Sequence, residues 1–306
     1  MLRSLNSGIA GLKASQTKLD VIGNNIANVN TTGFKKGRVL FEDIFSQTVK
    51  AATPASETTG GVNPNQIGIG VKVATVENLF TPGSPTVTNN PSDLYIDGDG
   101  FFTVEQGGKT FLTRAGNFTI DSMNRLVNSN GLMLLDTNLE QVVLPPGSVS
   151  YSIDSTGVIT GVNQAGERLI GVYTNQAGDL ISVTSRDYEL AIEEAGPGVT
   201  SEEAIASEFP GYKQIKIGIS NVTNPSGLSK AGGSLYAVSN SSGDFGIIND
   251  NNNNNVRLLT GHLEMSNVDL SEEMTDMIIA QRSFQANTKI ITTSDAILDE
   301  LINLKR

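Results

Sequence analysis

The 306-residue sequence has no cysteine, no tryptophan and a single histidine, His262. Without cysteine there is no disulfide, no thiolate-held metal and no thiol nucleophile. With one imidazole, neither a Ser-His-Asp triad nor a histidine metal cluster can be assembled. His262 therefore reads as a structural residue ahead of the last helix. Charged residues make up only 17% of the chain, and acids outnumber bases for a net charge of −11. No basic patch is present to displace counterions from phosphates, which removes nucleic acid from the expected partners. No apolar run reaches the ~18 residues of a membrane span. Gln16, Lys18, Asp20 and Asn24 interrupt the region where a secretory signal would carry its apolar segment, so any export is expected to proceed without a cleaved signal peptide. Glycine-rich phosphate loops and G-x-S-x-G elbows are missing. Carboxylates are frequent but form no identifiable glycosidase pair. The expectation is no catalytic residue, no metal, no cofactor and no small-molecule substrate.

The two ends of the chain carry apolar stripes. The first runs Leu2, Leu5, Ile9, Leu12, Gln16, Leu19, Gly23, Ile26; the second runs Leu270, Met274, Met277, Gln281, Phe284, Thr288, Ile291, Asp295, Leu298, Ile302. Steps alternate between three and four residues, the spacing of a coiled-coil seam. The N-terminal helix is expected from Leu2 to about Ala27, some ~39 Å at ~1.5 Å per residue. The C-terminal helix is expected to start at Ser271, with Glu272 and Glu273 near its positive end. Each helix alone is marginal in water and needs a partner for its stripe.

Between the ends the character changes. Val39 to Val49 is a short amphipathic piece with Phe41, Ile44 and Phe45 on one side. Residues 51–65 hold Pro54, Gly60-Gly61 and Asn63-Pro64 with no periodicity, and read as an extended connector. From Gly68 short β-branched runs alternate with turn residues. Gly107-Gly108 and Asn130-Gly131 mark hairpin turns, and Asp97-Gly98-Asp99-Gly100 joins two strands. A calcium loop of the EF-hand kind would need a glutamate at position 108, which is glycine. Residues 161–210 read as a variable surface insertion, acidic from Arg186 onward, and Asn251 to Asn255 as a loop tip. The expected fold is mainly β with terminal α, the two helices pairing as a coiled-coil core. The expected parts are residues 1–36 (N-terminal helix), 37–67 (connector), 68–262 (β domain) and 263–306 (C-terminal helix).

Three separated stretches resemble the bacterial flagellar rod and hook family. The first is Leu19-Asp20-Val21-Ile22-Gly23-Asn24-Asn25-Ile26-Ala27-Asn28 followed by Thr31, Gly33, Phe34 and Lys35. The second is Asp97-Gly98-Asp99-Gly100-Phe101-Phe102 with Arg114-Ala115-Gly116-Asn117-Phe118. The third is Ser266-Asn267-Val268 with Gln281-Arg282-Ser283-Phe284. The resemblance covers about residues 1–145 and 212–306. It implies a self-assembling helical homopolymer in which Leu5, Ile9, Leu12, Leu19, Ile26, Leu270, Met274, Met277, Phe284, Ile291 and Leu298 form the assembly seam around an export channel. The β domain would then face outward. Implied partners are further copies of the chain, flagellar rod, hook-cap and hook–filament junction proteins, and the export apparatus; the implied place is the extracellular hook or the basal body. The start Met1-Leu2-Arg3-Ser4-Leu5 and the stretch Lys289 to Asp295 look like hook proteins of Gram-positive bacteria, which implies a flexible joint transmitting torque. The connector resembles an extension of distal-rod subunits, the alternative. A secreted carbohydrate-binding β protein with a terminal coiled coil is a third reading.

Overall fold

The computed structural model describes residues 2–54, 60–174, 180–195, 209, 212–248 and 256–304. Its helices are α1 (Leu2–Ala27), α2 (Ser185–Ala195) and α3 (Leu270–Leu304). The chain divides into two compact units, one of residues 1–29, 35–79 and 268–306, the other of residues 30–34 and 80–267.

The first unit is built on α1 and α3, which run antiparallel: Gly8 meets Ile291, while Asn25 meets Glu273. α1 stops where its asparagines turn inward on the backbone, the Asn28 amide side chain donating to Asn24 O at 2.8 Å. α3 is capped by Asp269, whose Oδ1 accepts from Ser271 N at 2.8 Å and Glu272 N at 3.3 Å. The cap thus lies two residues before the expected Ser271, because the carboxylate reaches the free amides of the first turn. A β-ribbon belongs to the same unit. Strand Gly37–Asp43 pairs antiparallel with Val71–Asn78, Ser46–Lys50 pairs with Asn65–Gly68, and a bridge joins Thr53 to Val62. The amphipathic piece therefore lies on the outgoing side of the ribbon, the connector enters the pairing at Thr53–Val62 and at Asn65, and both belong to the helix unit. Cross-strand hydrogen bonds organise a stretch whose lack of side-chain periodicity suggested only a link.

The second unit is β-rich. Its centre is the hairpin Phe101–Gln106 with Lys109–Thr113, turned at Gly107 and Gly108, both with positive φ as the sequence requires. Among the described residues this sheet has nine strands, the hairpin's two included, while Ser148–Ile153, Ile159–Asn163, Arg168–Thr174 and Leu180–Thr184 form a four-stranded meander. Leu94–Asp97 pairs with Arg257–Thr260, not with the strand after the Asp97–Gly100 turn. The segment His262–Glu264, at the expected boundary between the β domain and the C-terminal part, is a strand against Pro85–Val87. One core cluster gathers Leu94, Phe102, Phe118, Leu126, Leu134, Ile159, Val172, Ile217, Ile219 and Leu258 among others. Val172 in this cluster, with Leu169 and Val183 also buried, thus places part of the expected surface insertion in the core, by the alternation of apolar residues along those strands. α2, the helical part of that acidic stretch, is eleven residues long and opens with Asp187 bonded to Thr184 Oγ1 at 2.8 Å. Asn251 to Asn255 lie outside the described residues.

Candidate assembly interface

α1 presents small residues to α3. Gly8 and Gly11 sit against Ile291 and Asn287, and a Cβ at Gly11 would fall 2.7 Å from Asn287 Nδ2. Lys18 reaches Asp276 at 3.1 Å and Asn25 donates to Glu273 Oε2 at 3.1 Å. Buried positions on the two helices, among the described residues, are Gly8, Ala14, Ile22 and Asn25, and Glu273, Ala280 and Ser294. Of the expected seam, Leu5, Leu12, Leu19, Ile26, Met277, Phe284, Ile291 and Leu298 are half-buried, while Ile9, Leu270 and Met274 are exposed. Gln281 and Arg282 are exposed on α3. Contact between the helices therefore runs one residue to the side of the expected stripe at alternate positions. Glycine and alanine let the backbones approach, so the line of contact centres on them and the larger apolar groups flank it. A ranking by hydrophobicity selects the flanks; the spacing Gly8, Gly11, Ala14 was the available signal for the centre.

The asparagine motif ends in a three-way tie. Asn25 donates from Nδ2 to Gly37 O at 2.9 Å as well as to Glu273, and its Oδ1 accepts from Gly37 N at 2.9 Å. One buried amide thus joins α1, α3 and the root of the ribbon. Lys36 pairs with Glu272 at 2.8 Å beside it, Lys35 is fully buried, and Asn24 accepts from Asn28 at the helix end.

The remaining motif residues build one locus in the second unit. Arg114, almost fully buried, donates from Nη2 to Gly98 O at 2.7 Å and from Nη1 to Ile96 O at 3.3 Å. Its Nη1 lies 3.5 Å from Glu264 Oε2, and its guanidinium covers the Phe101 ring at 5.5 Å. Glu264, in the family-like stretch Leu263 to Leu270 though with no role assigned from sequence, accepts from Gly83 N at 2.9 Å through Oε1 and from Gly33 N at 2.8 Å through its carbonyl. Gly33 has φ of 67°, and a Cβ there would lie 2.4 Å from Ala115 N, so the motif requires glycine on both counts. At Gly116 a Cβ would meet Leu94 O at 1.7 Å. Phe34 lies under Lys230 Nζ at 5.0 Å, and burial lowers the Lys230 pKa. Phe118 packs edge-on to Phe102, and Asn267 donates to Thr81 Oγ1 at 2.9 Å. Asn117 reaches Ser129 Oγ at 3.5 Å, while Val268 begins the return into the helix unit. Thr31, Gly100 and Ser266 lie on the connecting segments of this region, and Asp97 ends the strand Leu94–Asp97. These contacts are structural: they fasten the entering segment 30–34 to the strand ends.

The surface of the first unit is unusually apolar. α3 exposes Leu270, Met274, Ile278, Ile290, Ile297, Leu301 and Ile302, and the ribbon exposes Phe41, Phe45, Val49 and Ile67, with Phe45 89% accessible. A groove of about 500 Å³ along α3 is lined by Ala286, Ile290, Thr293 and Ile297 with Lys289 and Ser294. Among the described residues no cluster of His, Asp and Glu is arranged to hold a metal, and no helix is long and apolar enough to cross a membrane.

Paired terminal helices, an apolar ribbon and a β-rich middle fastened by buried motif residues define a structural protein of helical ends and β centre. The chain matches three family descriptions: "Flagella basal body rod protein" over residues 5–35, "Flagellar hook protein FlgE/F/G D1 domain" over residues 95–161, and "Flagellar basal body rod FlgEFG protein C-terminal" over residues 259–304. It is 42% identical over 307 residues to the flagellar basal-body rod protein FlgG of Bacillus subtilis (strain 168), covering all of both chains. The FlgG protein of Borreliella burgdorferi is 36% identical over 308 residues, again covering all of both chains. The flagellar hook protein FlgE of the same organism is 28% identical over 441 aligned residues, with both chains fully covered. The chain belongs to the flagellar basal-body rod and hook family.

Proposed function

We propose that this chain is an axial subunit of the flagellum that polymerises head to tail, of the distal-rod kind, with the hook as the second reading. The observation that carries the choice is length. Relatives named rod protein align over 307 and 308 residues, nearly residue for residue, whereas the relative named hook protein needs 441. The hook reading draws on the starting residues Met1 to Leu5 and on Lys289 to Asp295, which also carry its Gram-positive character. In the polymer the terminal helices pair as a coiled coil and surround an export channel, and the exposed stripe of α3 is covered by other copies. Unit composition supports this: the helix unit carries twelve basic and twelve acidic side chains, while the β unit carries nine and twenty. A charge-balanced unit can be packed densely without self-repulsion. A contact that propagates without closing gives a filament. Polymers of the purified chain viewed by electron microscopy should be straight and stiff. Curved, supercoiled tubes would return the assignment to the hook, and absence of any polymer would refute the axial role.

A further inference from the structure

A heptad seam is repetitive, and repetition invites slippage. Met277, Phe284, Ile291 and Leu298 recur every seven residues on α3. A slip of one heptad moves α3 by ~10 Å along α1 and returns an apolar side chain to each such place, except that in one direction Lys305 takes the place of Leu298. The apolar residues therefore cannot choose among these registers, and polar and small residues must.

We propose that Gly11 with Asn287 and Asn25 with Glu273 form a two-ended register lock that specifies how α3 pairs with α1. Asn287 fits over Gly11 only because no Cβ is there; the side chain would otherwise come within 2.7 Å of it. At the other end Glu273, 6% exposed, receives the Asn25 amide at 3.1 Å. A slip in one direction brings Ala280 to Gly11, and in the other Ser294; either removes Asn287 from its niche and Glu273 from Asn25. Lys18 and Asp276, 3.1 Å apart and only half-buried, form a solvent-screened pair that adds less to the choice than the buried contact. Because Asn25 also holds Gly37 through both backbone groups, the lock ties the register to the root of the ribbon. It thereby decides which α3 residues remain on the exposed apolar stripe. The lock concerns one unit of one chain and stands whether the polymer is rod or hook.

The absence of cysteine makes cross-linking a clean test. Gly8→Cys with Ile291→Cys reports the observed register, since a Cβ at Gly8 lies 3.4 Å from Ile291 Cγ1. Gly8→Cys with Phe284→Cys, or with Leu298→Cys, reports the two slipped registers. In the otherwise unchanged full-length chain the first pair should close within the chain at least about tenfold faster than either other, the ratio for the one buried hydrogen bond, Asn25 to Glu273, that a slip breaks. With Glu273→Ala and Asn287→Ala added, the slipped pairs should close at rates comparable to the first. Exclusive closure in the observed register despite these changes would overturn the lock, as would equal closure of all three pairs in the unchanged chain. A second series guards against simple unfolding. Gly11→Ala should slow the first pair, and adding Asn287→Ser should restore it by clearing the niche; failure of that rescue also overturns the proposal.

Discussion

Replacing Arg114 by methionine isolates what the buried ion pair of the β unit does. Methionine keeps much of the arginine stem and removes the guanidinium. Arg114 and Glu264 are 2% and 1% exposed, so neither gains much from water in the folded chain. The change strips the carbonyls of Gly98 and Ile96 of a donor and leaves the Glu264 carboxylate without the cation 3.5 Å away. Breaking one side of a buried pair costs ~3–5 kcal/mol. For a unit of this size that lowers the melting temperature by roughly 10 °C. The assay is thermal unfolding of the dilute full-length chain followed by near-ultraviolet circular dichroism. With no tryptophan present the signal comes largely from tyrosines, and Tyr95 and Tyr236 both feel the charges of Arg114 and Glu264. Arg114→Met combined with Glu264→Gln should cost less than the two single changes added together, because the interaction they share is lost only once. A single change costing less than ~1 kcal/mol, or a double change costing the sum of the two singles, would refute the reasoning.

Further outcomes follow from the same contacts. Leu19→Asp or Ile291→Asp should abolish polymerisation while the β unit melts nearly as before, since a carboxylate placed in the assembled seam costs several kcal/mol; normal polymer from either variant would show that the seam is not the assembly contact. Limited proteolysis of dilute monomer should leave a resistant fragment of about residues 80–267, whereas equal protection of both termini would contradict marginal helix pairing. Deleting residues 46–68 removes the outer ribbon and leaves the pairing of Gly37–Asp43 with Val71–Asn78; polymer stiffness measured by electron microscopy should fall, and an unchanged persistence length would make the ribbon a passive spacer. Burial, with a smaller push from Tyr188, raises the Tyr212 pKa to about 12. The folded chain holds that proton above the unfolded value of ~10, so this contribution is complete below about pH 10 and is lost as pH rises towards 12. Phenolate absorbance in an alkaline titration should show Tyr212 ionising late, and a Tyr212→Phe chain should lose the corresponding fall in stability.

Much was legible without coordinates wherever the signal is local. The reach of α1 from Leu2 to Ala27 and the hairpin at Gly107-Gly108 follow from side-chain spacing and from the φ that glycine alone adopts freely. The motif residues were also identifiable, though not what they do: Asn25, Gly33 and Arg114 act on Gly37, Ala115 and Gly98, and in each case the partner's place is set by the fold. Other features needed the tertiary structure. Residues 51–65 carry no periodicity, yet Thr53 bridges Val62 and Asn65 pairs with Lys50, contacts unannounced because backbone hydrogen bonds leave no trace in side-chain pattern. Strand Leu94–Asp97 pairs with Arg257–Thr260, more than 150 residues away, which no local turn could announce. The helix seam shows the division most plainly. A sequence determines that α1 and α3 each own an apolar side; only the packed pair decides which residues touch, because close approach favours glycine, alanine and a fitted asparagine over the larger side chains that dominate the pattern.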